Sequence, residues 1–151
     1  MTEIRIGDQT IRFDRRATVA AYEKIQQGEA ESCGCKSCRN FFGQRATVYP
    51  PAFILLLQQL GIDPTKEAEV YDASCRPLED GCHLYGGGYG LVGEIVTAGE
   101  RNCVVPGHPH FEYFFTTAGH HQAVFHDRPR ISLEFTAHVK WLLAEPPDSY
   151  R

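Results

Sequence analysis

Three cysteines, Cys33, Cys35 and Cys38, lie within a stretch of only six residues. Thiolates bind zinc tetrahedrally at about 2.3 Å, and the Cys35-x-x-Cys38 spacing lets one tight turn direct two sulfur atoms at the same ion. Gly34 permits the backbone bend that Cys33 needs in order to join them. The pattern therefore predicts a zinc-binding knuckle, the turn of residues 33–38, which supplies three ligands.

The motif does not define a fourth ligand, because no second C-x-x-C or H-x-x-x-H follows at the distance usual in zinc fingers. We favour Cys82 and His83, which lie beside a glycine-rich turn that can approach the knuckle; the other candidates are Cys75 and Cys103. Two alternatives stay open. The thiols can be reduced and free of metal, or they can carry out redox chemistry, which needs a thiolate of low pKa.

The histidines give a second, weaker metal signal. His108-Pro-His110-Phe-Glu112 places two imidazoles and a carboxylate on one face of a predicted strand. If that strand forms a hairpin with residues 122–126 through a turn at 118–120, Glu112 faces His126. This register predicts a ligand set of His110, Glu112 and His126 with His108 at its rim. The alternative is a solvated polar sheet face, which is favoured because Pro109 weakens the strand at this point.

Several segments together resemble a family of small, functionally uncharacterised bacterial proteins. They are Cys33-x-Cys-x-x-Cys-Arg-Asn-Phe41, Tyr49-Pro-Pro, Leu60-Gly-Ile-Asp-Pro64, Glu67-Ala-Glu-Val-Tyr71 and Leu84-Tyr-Gly-Gly87. The resemblance covers about the first two-thirds of the chain and implies a bacterial, cytoplasmic origin. It carries no catalytic role. This sequence has Gly88-Tyr89-Gly90 where the family often has Trp-Tyr-His, so one polar position is missing.

Two further motifs have simpler interpretations. Gly86-Gly-Gly-Tyr-Gly90 lacks the Lys-Ser/Thr of a phosphate-binding loop and the order of a dinucleotide fingerprint, so it predicts a hairpin turn. A basic aromatic surface for single-stranded nucleic acid would need the following side chains on one surface: Lys36, Arg39, Arg45, Phe41 and Phe42. The chain's negative charge and the expected burial of at least one phenylalanine argue against that role.

The composition predicts one domain without a strong electrostatic field. The chain has 151 residues, of which 42% are hydrophobic, and a net charge of −4. Neither nucleic acid nor an acidic membrane is therefore an expected partner. The first residues lack the apolar stretch of a secretory signal, and the longest apolar run, residues 52–57, is far shorter than the ~20 residues of a membrane span. We expect a cytoplasmic location, where cysteines are more often thiols or metal ligands than disulfides.

The knuckle should be positioned by helices in the first half of the chain. Alternating apolar residues at 4, 6, 11 and 13 predict a hairpin with its turn at Asp8-Gln9, pairing Ile6 with Ile11 and Ile4 with Phe13. A helix should follow, from the N-cap Asp14 to a stop at Gly28. A short helix around residues 41–46 and a buried helix that begins near Pro51 and ends before Gly61 complete this half.

The second half alternates as strands do. The predicted strands cover residues 68–72, 82–86, 89–96, 111–117, 122–126 and 131–141. We therefore expect an α+β fold, in which an N-terminal hairpin and two or three helices pack on one face of a mostly antiparallel sheet. The domain should span residues 1–145, with a loose tail at 146–151. The leading functional hypothesis is a non-enzymatic, zinc-binding, protein-interaction domain; a metal-dependent enzyme and a thiol redox or sensor protein are the alternatives.

Overall fold

An antiparallel sheet of seven strands forms the larger part of the fold. The computed structural model describes residues 1–74 and 76–148, and every statement about structure refers to them. The strands are β1 (Thr2–Ile6), β2 (Gln9–Phe13), β3 (Glu69–Asp72), β4 (His83–Thr97), β5 (Cys103–Val105), β6 (His108–Thr116) and β7 (Arg130–Val139). Their order is β1-β2-β4-β7-β6-β5, and β3 pairs with β4 on the side away from β7.

Five helices lie in the first half of the described chain, before most of the sheet. They are α1 (Arg15–Glu23), α2 (Glu29–Cys33), α3 (Lys36–Phe42), α4 (Arg45–Val48) and α5 (Pro51–Leu60). The α+β prediction is confirmed. The structure has more helices than the expected two or three, because α2 is a separate five-residue helix and the helix expected near residues 41–46 is divided at Gly43 into α3 and α4.

The N-cap of α1 and both ends of α5 are confirmed. The expected stop of α1 at Gly28 was wrong: α1 ends at Glu23, and Gly28 instead precedes the separate helix α2. The Asp14 carboxylate accepts a hydrogen bond from the Ala17 N–H and caps α1, which satisfies one of the free N–H groups at the start of that helix. Helix α5 has Pro51 at its start and ends at Gly61, whose φ of 83° is left-handed. Its buried side chains are Phe53, Leu56, Leu57 and Leu60.

Aromatic packing joins the helices to the sheet. Phe135, in the central strand β7, contacts Tyr49 before α5 and Phe53 within α5, at ring distances of 5.2 and 5.9 Å. Phe41 on α3 stacks against Phe135 and Tyr85. Edge-to-face and offset aromatic pairs of this kind add to the free energy gained by burial. The core therefore lies between the helices and one face of β4, β7 and β6.

The hairpin register is different from the expected one. Ile4 pairs with Ile11 and Ile6 with Gln9, around a two-residue turn at Gly7 and Asp8. The predicted register was wrong by two residues because the left-handed conformation of Gly7 (φ 60°) starts the turn one residue earlier. A two-residue shift preserves the buried face of a strand, so the apolar side chains still point toward the core.

Two expectations about strands were also wrong. The strands predicted at 82–86 and 89–96 form the single strand β4, since the glycines between them pair with β7 and β3 without leaving the sheet. Residues 122–126 do not form a strand; residues Ala123–Phe125 are a 3-10 helix. Phe125 is fully buried against Tyr22, so its burial reflects an inserted side chain and not strand alternation.

The sheet curls until its two halves approach each other. Gln9 on β2 is buried, and its side-chain amide donates to the Phe115 carbonyl on β6 and accepts from the Phe115 N–H, both at 2.8 Å. It also donates to the Ala98 carbonyl at 2.7 Å. The Gln9 side chain thus forms the hydrogen bonds with the Phe115 backbone that a neighbouring strand would otherwise form.

Candidate metal centre

The junction between α2 and α3 forms the knuckle. Cys33 is the last residue of α2, and Gly34 ends that helix in the left-handed conformation (φ 75°), with no heavy atom near the place of a Cβ. Cys35 then caps α3, because its sulfur accepts a hydrogen bond from the Cys38 N–H at 3.4 Å. The chain reverses between two short helices, and all three cysteines lie at this reversal.

The three sulfur atoms converge. The Sγ atoms of Cys33, Cys35 and Cys38 all lie within 4.8 Å of one another. In a tetrahedral zinc–thiolate site with bonds of about 2.3 Å, neighbouring sulfurs lie about 3.8 Å apart. Cys33 and Cys35 are exposed and Cys38 is buried. The group can therefore receive an ion from the solvent side with little movement.

The two thiols of the C-x-x-C pair have opposite pKa shifts. Burial acts to raise the pKa of Cys35, but hydrogen bonds from the backbone of Cys38 and the thiol of Cys33 outweigh it, and the pKa of Cys35 is lowered. Burial, followed by hydrogen bonds to Cys35 and Cys33, raises the pKa of Cys38. Of these two thiols Cys35 is the more ready to ionise, and a thiolate is the form that binds a metal or acts as a nucleophile.

Contacts with the sheet hold the knuckle in place. The Cys38 sulfur lies 4.0 Å from the Val70 carbonyl oxygen on β3. Asn40, also on α3, is buried and donates to the Lys140 carbonyl just after β7, at 2.9 Å. The Arg39 side chain donates to the Gly34 carbonyl inside the knuckle and forms two hydrogen bonds with Glu145. The cysteines therefore lie on a fixed part of the surface.

The expected fourth ligands lie elsewhere in the described structure. His83 is buried, and its Nδ1 atom is 2.7 Å from Asp72 Oδ2 while its ring packs on Trp141. Cys82 follows Asp80, to which its backbone N–H donates. Among the described residues neither belongs to the group formed by the three knuckle cysteines. Their role as ligands stays a prediction.

The remaining two candidates are also not in the described group. Cys103 lies on β5, where it pairs with Tyr113 of β6. Cys75 lies outside the described residues.

The histidine set predicted from the sequence does not converge in the described chain. His110 stacks on His138, with ring centroids 4.1 Å apart, while Glu112 accepts a hydrogen bond from Asn102. His126 lies next to His121, after the 3-10 helix. The predicted hairpin was wrong because β6 pairs with β7 and not with residues 122–126, and so Glu112 faces Thr136.

The structure brings together a different group of possible metal ligands, which the sequence does not predict: Asp80, His110 and His138. Donor atoms of these three side chains lie within 4.8 Å of one another. The alternation of apolar residues in the strand predicted at 131–141 places His138 on its polar face, but nothing in the sequence pairs that strand with residues 108–116. Asp80 comes from a loop and follows no repeating pattern, so only the strand pairing could have revealed this group.

The basic residues near the knuckle face acidic partners. Lys36 pairs with Asp148, Arg39 with Glu145 and Arg45 with Glu67. Phe41 is fully buried, and Arg45 lies over the Phe42 ring at 5.2 Å. The positive charges of this surface are therefore balanced locally. The lack of a nucleic-acid partner stays a prediction.

No helix in the described part of the chain is both long and apolar enough to cross a membrane.

Comparisons of the sequence and structure with protein-family models, with curated proteins and with solved structures gave no match.

Proposed function

We propose that this chain is a non-enzymatic zinc-binding domain in which Cys33, Cys35 and Cys38 are ligands of one ion. The observation that carries the proposal is the convergence of the three sulfur atoms within 4.8 Å. Soft thiolate ligands select zinc over the harder magnesium and calcium ions. A reducing cytoplasm, the location we propose for the protein, favours metal binding over a permanent disulfide.

The bound ion would connect the helical half of the chain to the sheet. Helices α2 and α3 are short, and isolated helices of this length are not stable in water. Cys38 contacts β3, and the same turn is tied to the segment after β7 through Asn40. An ion that joins the end of α2 to the start of α3 would stabilise both helices against the sheet.

The fourth coordination position provides a route to a partner protein. Cys33 and Cys35 are exposed, so this side of the ion would face solvent. Within the described residues no further Cys, His, Asp or Glu joins the group. Water or a donor from a protein partner would complete the tetrahedron, and this supports a protein-interaction role.

Metal content and stability test the proposal. Protein purified in the presence of zinc should contain one ion in the knuckle, and Cys35→Ser should lose it, while the control Cys103→Ser should retain it. Metal binding that favours only the folded state stabilises it by about 2.7 kcal/mol at a hundredfold excess over Kd. Removing the ion should therefore lower Tm by about 5–10 °C. Zinc-free protein whose three thiols react freely in the native state would contradict the proposal.

The asymmetry of the C-x-x-C pair favours thiol redox chemistry as the second candidate. Exposed Cys35, with its lowered pKa, would be the nucleophile, and buried Cys38 the resolving thiol. Formation of a Cys35–Cys38 disulfide would transfer two electrons and two protons to an oxidant such as oxidised glutathione. The same samples distinguish the two functions: a zinc site protects its thiols, whereas a redox pair contains no zinc and becomes oxidised reversibly in a glutathione buffer.

A further inference from the structure

The face of the sheet away from the core carries a second group of possible metal ligands. Strands β6 and β7 are antiparallel, and Phe111 pairs with Ala137, so His110 lies across from His138 at the next position. Their rings are nearly parallel, with an interplanar angle of 11° and centroids 4.1 Å apart. Cross-strand partners on one face lie close enough for side chains to meet.

Asp80 brings a carboxylate to the two imidazoles from the loop before β4. Its Oδ2 atom is 2.6 Å from Nδ1 of His138, and its Oδ1 atom accepts the Cys82 N–H at 2.9 Å. A carboxylate therefore lies beside two imidazoles, a combination of oxygen and nitrogen donors that suits a divalent cation.

The two imidazoles of the group border a surface cavity. The cavity has a volume of about 230 Å³, and the two imidazoles line it together with His108 and Val48. The side chains of Asp80 and His138 are 36% and 24% exposed, and His110 is also exposed. They can turn without disturbing the core. The space can hold an ion and the waters that complete its coordination shell.

We propose that Asp80, His110 and His138 form a second metal site, which binds one divalent transition-metal ion such as zinc. The rings must rotate out of their stack so that one nitrogen of each points at the ion, and the ion replaces the proton shared by Asp80 and His138. Two imidazoles and a carboxylate form a ligand set found in zinc sites with an open position. This nitrogen–oxygen site is separate in chemistry from the sulfur site of the knuckle.

Cobalt(II) can report on the two sites separately. Thiolate ligands give intense charge-transfer absorption, whereas imidazole and carboxylate ligands do not. Wild-type protein should bind two cobalt ions, of which one produces the thiolate band. The double variant His110→Ala/His138→Ala should keep that band and lose one bound ion, or bind it at least about 10-fold more weakly. The control His120→Ala, at another exposed histidine, should behave like wild type.

A second measurement does not depend on the variants folding. In wild-type protein, zinc added beyond the first equivalent should shift the imidazole nitrogen resonances of His110 and His138 and leave those of His120 unchanged. Unshifted resonances, or a double variant that binds two cobalt ions as tightly as wild type does, would overturn the proposal. If the wild-type protein bound cobalt without the thiolate band, the result would contradict metal binding at the knuckle but not at the second site.

Discussion

Glu134 shows how the surroundings of one residue change its chemistry. It lies on β7 opposite Gly88, and its carboxylate fills the space that a side chain at Gly88 or Gly119 would occupy. Burial and, to a lesser extent, the charge of Glu69 raise its pKa to about 7. The two glycines create the slot that removes this carboxylate from water.

Because its pKa is raised, Glu134 destabilises the fold above neutral pH. Below pH 4.5 it is protonated in both the folded and unfolded states; between 4.5 and about 7 only the unfolded state ionises, so stability falls as pH rises and then levels off. The difference in pKa corresponds to about 3 kcal/mol, which solvent screening reduces to about 1–2 kcal/mol. We therefore expect Glu134→Gln to raise the free energy of unfolding, measured in urea, by about 1–2 kcal/mol more at pH 8 than at pH 4.

The matched control is Glu100→Gln, since Glu100 is an exposed carboxylate. Its gain should not differ between the two pH values. An equal gain in stability at pH 4 and pH 8 for Glu134→Gln would show that titration of this carboxylate has no part in the effect.

The sequence predicts that Glu134 points away from the core. It cannot predict the pKa, because Gly88 and Gly119 reach this carboxylate only through tertiary structure.

At the scale of elements, one buried carboxylate connects the segment before β3 with the start of α2 and with α4. The Glu67 side chain is completely buried; it accepts the Ala30 N–H at 2.8 Å and pairs with Arg45 at 3.1 Å. The Arg45 side chain is only 14% exposed. Removing one partner of such a pair leaves a buried charge without compensation, whereas removing both charges avoids that penalty.

We therefore expect Arg45→Met to destabilise the fold by about 3 kcal/mol, and Arg45→Met/Glu67→Gln to recover much of the loss. Denaturant unfolding of both variants measures the difference. Arg12→Met is the control, because Arg12 forms exposed ion pairs with Glu3 and Glu94 and should matter far less. A double variant less stable than Arg45→Met would contradict this account, because Glu67→Gln keeps a carbonyl oxygen that can accept the Ala30 N–H.

The elements that the sequence predicts well are those with strong local signals. Strand β7 was expected at 131–141 because its apolar residues alternate without a break, and it spans Arg130–Val139. The strand expected at 122–126 failed because Phe125 is buried by packing on Tyr22 and against Gly90. Alternation over so few residues does not distinguish a strand from an irregular segment with one inserted side chain.

At the scale of the whole molecule, Gln9 joins the two halves of the curled sheet. Its amide bonds to both backbone groups of Phe115 and to the Ala98 carbonyl. Gln9→Leu would leave these groups without their partner, and an unsatisfied buried polar group costs about 1–3 kcal/mol. We expect a total loss of about 3 kcal/mol in urea unfolding. Gln27→Leu, at an exposed position, is the control; equal losses for the two variants would contradict this role.

The sequence predicts the fold class and the knuckle, because both depend on patterns that are short or repeated. The three cysteines lie in one turn, so their convergence follows from local geometry. The Asp80–His110–His138 group depends on the pairing of β6 with β7 and on a loop before β4. The same is true of Gln9, whose polar side chain gives no sign that it replaces a strand.

The central position of β7 has a consequence for synthesis. This strand lies between β4 and β6, both of which precede it in the chain. Until Val139 has left the ribosome, β4 and β6 have no strand to join them, and their apolar side chains remain accessible on the nascent chain. Such a topology, rich in contacts between distant residues, folds slowly. The emerging polypeptide therefore exposes apolar strands, and is open to aggregation, until β7 is complete.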